Sequence, residues 1–241
     1  MAKDDEIAYL ERMGNDGQLH ALGKPWSDGE RARLLGEVAA LLSLLPQPPA
    51  RVLDVGAGSG WTACILAMAG YSVVASDISP DMVSLIALNA ERYRVELDDV
   101  VVSDFEALPF DNEFDIVVFY DCLHHSEDEV AALRGAHRAL KVGGICITLE
   151  PGVGHHKSPG SIVAMQQTGV TERDMPPRLI ISAGRAVGFT GFEVYERPQH
   201  PIQLGAGRVP RMRTVLAQAV RFLKHATPFA STRGHFVVLR K

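Results

Sequence analysis

The sequence predicts an α/β fold in which a mostly parallel, doubly wound sheet carries helices on both faces. Three observations lead there. Past the proline run Pro46-Gln47-Pro48-Pro49, short β-branched runs alternate with helical runs. The strand-like runs are almost continuously apolar, the mark of strands buried on both faces. The chain has 241 residues, which suits one α/β domain with insertions and a sizeable core.

The elements follow in order. Residues 1–46 read as an amphipathic helical cap or lid. Asp28 is placed to cap a helix bearing Leu34, Leu35, Val38, Leu41, Leu42 and Leu45, which the prolines end. Strands are expected at 51–55, 72–75, 100–102, 114–120, 145–149, 191–195 and 236–239, seven in all. Helices are expected at 61–69, at 80–93 with Ser79 as cap, at 127–140 and at 176–187. Roughly 40 residues separate the last two strands, where a hairpin needs only a few. Met212, Val215, Leu216, Ala219, Val220 and Leu223 would share one helix face in that insertion. The expected organisation is a single domain: a cap at 1–46, a ligand-binding core at 50–150 and a basic insertion at 198–232.

Composition narrows the function. No apolar run reaches the roughly 18 residues needed to span a bilayer. The acidic start Met1-Ala2-Lys3-Asp4-Asp5-Glu6 lacks the apolar core of a signal peptide. A cytoplasmic location is therefore expected, and Cys64, Cys122 and Cys146 read as reduced core residues. From Arg197 to Lys241 there are nine Lys/Arg and no Asp or Glu, in a chain of net charge −5. Such a basic stretch on an acidic body suits either an anionic acceptor or a solvated face, and it leaves peripheral membrane contact open.

The most informative segment is Val52-Leu53-Asp54-Val55-Gly56-Ala57-Gly58-Ser59-Gly60, a strand running into a glycine turn that opens a helix. Glycines there let the main chain approach a ligand at the carboxyl end of a strand. The dinucleotide fingerprint would place its third glycine at position 61, which is Trp61. The loop also lacks the Gly-Lys-Ser/Thr of triphosphate sites. Asp77 ends the second strand, 23 positions beyond Asp54, where an ionised carboxylate can accept two hydrogen bonds.

This stretch resembles motif I of class I S-adenosyl-L-methionine (AdoMet)-dependent methyltransferases, and the likeness continues through most of residues 50–150. It implies a Rossmann-like seven-stranded sheet with an antiparallel last strand. It implies AdoMet as cofactor and S-adenosyl-L-homocysteine as product. It also implies cofactor-binding roles for Asp54, Gly56, Gly58, Gly60, Asp77, Ile78, Asp104, Phe105 and Asp121. In that family Asp77 would hold the ribose hydroxyls and Asp104 would accept from the adenine amino group, with Phe105 lining the adenine pocket. Phe114 to Asp121 resembles motif IV, and Leu140-Lys141-Val142-Gly143-Gly144 resembles the turn before the fifth strand.

Acceptor chemistry should lie past the fourth and fifth strands. Those segments hold Asp121-Cys122-Leu123-His124-His125 and Glu150-Pro151-Gly152-Val153-Gly154-His155-His156. A hydroxyl acceptor needs a base, and histidine titrates near neutrality. His155 and His156, in a Gly/Pro-rich loop, and His124 are the catalytic candidates. The paired histidines lack the i, i+4 spacing of helical ligands, so no metal is expected. Trp26 is a candidate lid residue.

The sequence thus points to an AdoMet-dependent methyltransferase. The leading acceptor is a sugar hydroxyl in a glycan or an activated-sugar or lipid-linked precursor, a reading helped by a faint resemblance of segments 149–152 and 169–174 to methyltransferases of bacterial glycan assembly. The alternatives are a quinone, polyketide or similar small-molecule acceptor, and a non-catalytic AdoMet-binding partner protein. No aromatic–basic motif for nucleic acid is present. Oligomeric state is left open.

Overall fold

A computed structural model describes residues 2–198 and 234–241. Its N-terminal part is helical: α1 (Ala2–Ile7), α2 (Tyr9–Gly23) and α3 (Arg31–Leu44). The core then alternates β1 (Arg51–Val55), α4 (Trp61–Met68), β2 (Ser72–Asp77), α5 (Pro80–Tyr93), β3 (Asp99–Val102), β4 (Phe114–Tyr120), α6 (Glu129–Ala139) and β5 (Leu140–Glu150). After it come α7 (Pro159–Thr168), α8 (Pro177–Val187), β6 (Gly191–Glu196) and β7 (His235–Arg240).

The seven strands form one sheet in the order β3-β2-β1-β4-β5-β7-β6. Strands β1 to β5 pair in parallel, and β7 is antiparallel to both β5 and β6. The sheet is the expected one: six strands in one direction and an antiparallel β7. Alternation along the strands makes it doubly wound. Leu53, Val117 and Phe119 face one core cluster with Leu133 and Ala136 of α6. Their neighbours Val52, Ile116 and Val118 face the other, with Leu66 of α4 and Ile86 of α5. Neither face of β1 or β4 is wet, which is why both read as apolar runs.

Several boundaries differ from the sequence expectation, each for a local reason. Helix α6 starts at Glu129 because the Asp128 carboxylate accepts from the amides of Val130 and Ala131 at 2.8 and 3.0 Å. Asp28 does not cap α3; it accepts from Glu30 N, and α3 begins at Arg31. Strand β5 begins at Leu140, not Ile145, because Leu140 already pairs with Phe114 ahead of a register shift. Helix α7, which periodicity did not indicate, starts at a proline with the Ser158 hydroxyl accepting from Ser161 N. From residue 199 onward the expected basic insertion, with its Met212-to-Leu223 helix, lies outside the described residues. No helix among the described residues is long and apolar enough to cross a membrane.

The order reverses at β1, which has β2 on one side and β4 on the other. In an open α/β sheet the crevice beyond the strand ends at that point is where ligands bind. Helices α1 and α2 lie over this crevice. They are tied down mainly by polar contacts to the core: Ser79 Oγ donates to Ile7 O at 3.1 Å, Ser59 Oγ to Ala21 O at 2.6 Å and Arg92 to Leu22 O at 2.5 Å.

Candidate cofactor and acceptor site

Under α1 and α2 lies a cavity of about 350 Å³, reached by the glycine turn, the ends of β2 to β4 and part of the chain after β5. The turn is shaped by glycines at two demanding points. Gly58 has φ 55° and open space where a Cβ would stand, so its bare backbone faces the cavity. Gly60, at φ 76°, opens α4; a Cβ there would come within 2.7 Å of Ile86. The close helix packing that dinucleotide folds secure at the next position is secured here one residue earlier. Trp61 is thereby freed to line the cavity, edge-on to Tyr120 with ring centroids 5.4 Å apart.

Asp77 closes one wall. Its carboxylate accepts from Gly58 N at 2.8 Å and Ser79 N at 2.9 Å. Burial pushes this carboxyl up to about 6, against the lowering effect of those two amides. Two lone-pair sites stay available for ligand hydroxyls. Ile78, Met82 and Phe105 supply apolar faces beside it, and Gly56 and Cys122 line the floor. Asp104 also lines the cavity; it accepts from Glu106 N at 2.9 Å and from Lys3 Nζ, on α1, at 2.5 Å. Asp121 sits at the end of β4 with φ 56°. Burial alone would raise its carboxyl, but the charges of His124, Arg197, Arg33 and Lys24 hold it low.

Asp54 departs from the expected direct role. It is fully buried, does not line the cavity, and accepts from Thr62 Oγ1 at 2.7 Å, tying β1 to α4. Burial raises it to about 7. It braces the turn from behind.

The three catalytic candidates also lie off the cavity wall. His156 is not a loose loop residue. It belongs to a short 3-10 turn, His155–Lys157, and its Nδ1 is 2.8 Å from Asp174, which also accepts from the amides of Gly154 and His156. Those contacts hold the Asp174 carboxyl down at about 2, against its slight burial. His155 Nε2 meets Glu172 at 2.6 Å. His124 is buried, its Nδ1 2.8 Å from Glu150. Trp26 is 59% exposed and lines nothing, so it neither stacks in the cavity nor packs in the core.

The polar groups that do face the cavity include Glu6, Tyr9, His20, His125 and Glu172. Sequence reasoning missed most of these because they meet across long separations. Glu6 of α1 accepts from Thr171 N at 2.8 Å and lies 3.4 Å from His125 Nδ1. Burial would lower His125, but Glu6, Glu172 and the Thr171 carbonyl outweigh it and lift the imidazole to about 9. A second buried group, Glu37 of α3, binds Arg33, Arg197 and the Tyr120 hydroxyl at 2.7, 2.5 and 2.7 Å. Arg197, first residue of the acid-free stretch, is thus spent on an internal carboxylate. All three cysteines are free and buried, as expected.

The Glu6–His125 contact has a pH consequence. An imidazole raised from 6.5 to about 9 stabilises the folded cap fully below about pH 6.5, and this contribution is lost as pH rises through about 9. Protease cleavage within residues 2–23 should therefore accelerate between about pH 8 and 10. Glu6→Gln should make it fast already at neutral pH and flatten the pH dependence.

Comparison with known proteins fits this geometry. Residues 53–148 match the family described as "Methyltransferase domain". The matched stretch runs from β1 into β5 and includes the glycine turn, Asp77 and Asp104. Among curated relatives, the cypemycin N-terminal methyltransferase of a Streptomyces species is 37% identical over 114 residues, 45% of this chain and 45% of the relative. A ubiquinone biosynthesis O-methyltransferase of Xanthomonas oryzae pv. oryzae is 36% identical over 137 residues, 56% and 53%. The chain spans about half the length of the curated relatives it matches. Among solved structures, an S-adenosylmethionine-dependent methyltransferase from Mesorhizobium loti superposes with a TM-score of 0.60 at 20% identity, covering 86% of this chain and 98% of that one. A SAM-dependent methyltransferase from Archaeoglobus fulgidus gives 0.61 at 17%, covering 87% and 94%. These structural likenesses carry the fold. AdoMet is the cofactor of this domain family, and the Gly58 backbone, the Asp77 carboxylate and the apolar faces of Ile78, Met82 and Phe105 fit it.

Proposed function

We propose that the chain transfers a methyl group from AdoMet to a hydroxyl of a small polar acceptor, a sugar in a glycan or in an activated-sugar or lipid-linked precursor. The observation that carries this reading is the polar cluster on the cavity wall, where Glu6, His125 and Glu172 come together. A polyhydroxylated acceptor can exchange hydrogen bonds with such groups, whereas an apolar ring offers them none.

When bound, AdoMet supplies a methyl carbon already activated as a sulfonium, and the sulfur takes the bond electrons. The chain's work is to align the acceptor and remove its proton. Alignment contributes roughly 7–11 kcal/mol in favourable cases. For the proton we assign His125. With Glu6 against it, His125 is held protonated. An acceptor that displaces Glu6 removes the largest raising influence, and the imidazole returns toward neutrality, where it serves as base. His155 and His124 act from behind through Glu172 and Glu150.

A second reading has a specific support. Relatives named as ubiquinone biosynthesis and 27-O-demethylrifamycin SV methyltransferases are 36% and 34% identical over 111 and 116 residues, and Met13, Leu34, Ala164 and Val170 offer an apolar wall. Transfer of a labelled methyl group to nucleotide sugars and to phenolic acceptors separates the two. Label on the sugars supports the proposal; label on phenols alone overturns it. His125→Asn should cut turnover by about 10²-fold or more while leaving S-adenosyl-L-homocysteine affinity within about threefold. Unchanged turnover would remove His125 from the chemistry.

A further inference from the structure

Behind the acceptor end, three imidazoles and three carboxylates converge: His124, His125, His155, Glu6, Glu150 and Glu172. Within this group His124, His125 and Glu172 each offer one ligand atom, and all three atoms lie within 4.8 Å of one another. They come from the turn after β4 and from the segment between α7 and α8, so no spacing rule in the sequence joins them.

We propose that His124, His125 and Glu172 hold a divalent transition-metal ion of the zinc class at the acceptor end of the cavity. Glu172 provides the first support. Its side chain is 10% exposed, yet Oε2 makes no hydrogen bond among the described residues. Its contacts there are with imidazoles, His155 Nε2 at 2.6 Å and His124 Nε2 at 3.8 Å. Metal bonds of about 2.0–2.2 Å set neighbouring ligands roughly 3.4 Å apart, so a small inward shift suffices.

His124 provides the second support. Its Nδ1 is 2.8 Å from the buried Glu150 carboxylate, which only accepts. The carboxylate occupies Nδ1, so Nε2, 3.8 Å from Glu172 Oε2, is the nitrogen placed to bind an ion. A carboxylate behind a histidine is the usual outer support of a metal-bound imidazole. Glu150 itself is locked by the amides of Cys122, Leu123 and His124. The His125 ring is positioned from the other side by the Thr171 carbonyl at 2.5 Å.

Two imidazoles and a carboxylate suit Zn²⁺ and its neighbours better than Mg²⁺ or Ca²⁺. Three protein ligands leave a position open, and His125 and Glu172 both face the cavity. An ion there would occupy the imidazole nitrogen that serves as base in its absence, and would itself acidify a hydroxyl reaching it. The site stands on its own geometry and is read by metal binding, apart from any methyl transfer.

The test is calorimetric titration of Zn²⁺ into chelator-treated full-length chain, with Co²⁺ absorption as a second readout. The expected result is one equivalent bound at micromolar or tighter affinity, with a visible Co²⁺ band. Glu172→Gln, which preserves shape, and His125→Asn should each weaken binding at least about tenfold. His156→Ala, on the far side of Asp174, should leave it unchanged. Absence of binding in the wild type overturns the proposal. So does binding that survives both Glu172→Gln and His125→Asn, because the ion then sits on other histidines.

Discussion

Asp77→Ala is expected to weaken binding of S-adenosyl-L-homocysteine by at least about 100-fold. Hydrogen bonds to a charged acceptor contribute about 1.5–3 kcal/mol each, and the Asp77 carboxylate faces the cavity with room for two from a ligand. The same carboxylate holds Gly58 N and Ser79 N, so alanine also releases the turn that shapes the site. Asp77→Asn keeps one acceptor oxygen and should lose less. Calorimetry on both variants checks this. Equal affinity in wild type and Asp77→Ala would mean that the ligand does not reach this wall.

Glu150→Ala is expected to destabilise the protein by about 3–5 kcal/mol, as removal of one partner from a buried charged network does. Glu150 is 1% exposed and accepts from three backbone amides and the His124 ring. Without it the turn after β4 has buried donors with no acceptor, each costing roughly 1–3 kcal/mol. For a chain of this size, Tm should fall by about 10 °C. Glu150→Gln should recover part of the loss. A change below about 1 kcal/mol in denaturant unfolding would show that water takes over these contacts.

What could be read from sequence was local. The strands announced themselves because β1 and β4 are buried on both faces and so are apolar throughout. Gly58, Gly60 and Asp77 could be placed because strand, turn and helix follow one another within 27 residues of Asp54 to Pro80. The acceptor end could not be read this way. Glu6 and Thr171 lie 165 positions apart, and neither belongs to a motif. The imidazoles of His155 and His156 looked free in a Gly/Pro-rich loop, but Glu172 and Asp174 hold them away from the cavity. His125, beside the more buried His124, is the one that lines the cavity, and neighbouring residues in a turn give no sign of which faces inward. Asp54 was read as a ligand contact from its place in the motif. The structure puts Thr62 on its carboxylate and leaves Asp54 off the cavity lining.

The central claim is that the crevice at the end of β1, beneath α1 and α2, is built for AdoMet. Calorimetric titration of the wild-type chain with S-adenosyl-L-homocysteine tests it most directly. The predicted result is saturable binding of one equivalent at micromolar affinity. No heat of binding at millimolar ligand, from protein shown to be folded, would contradict it.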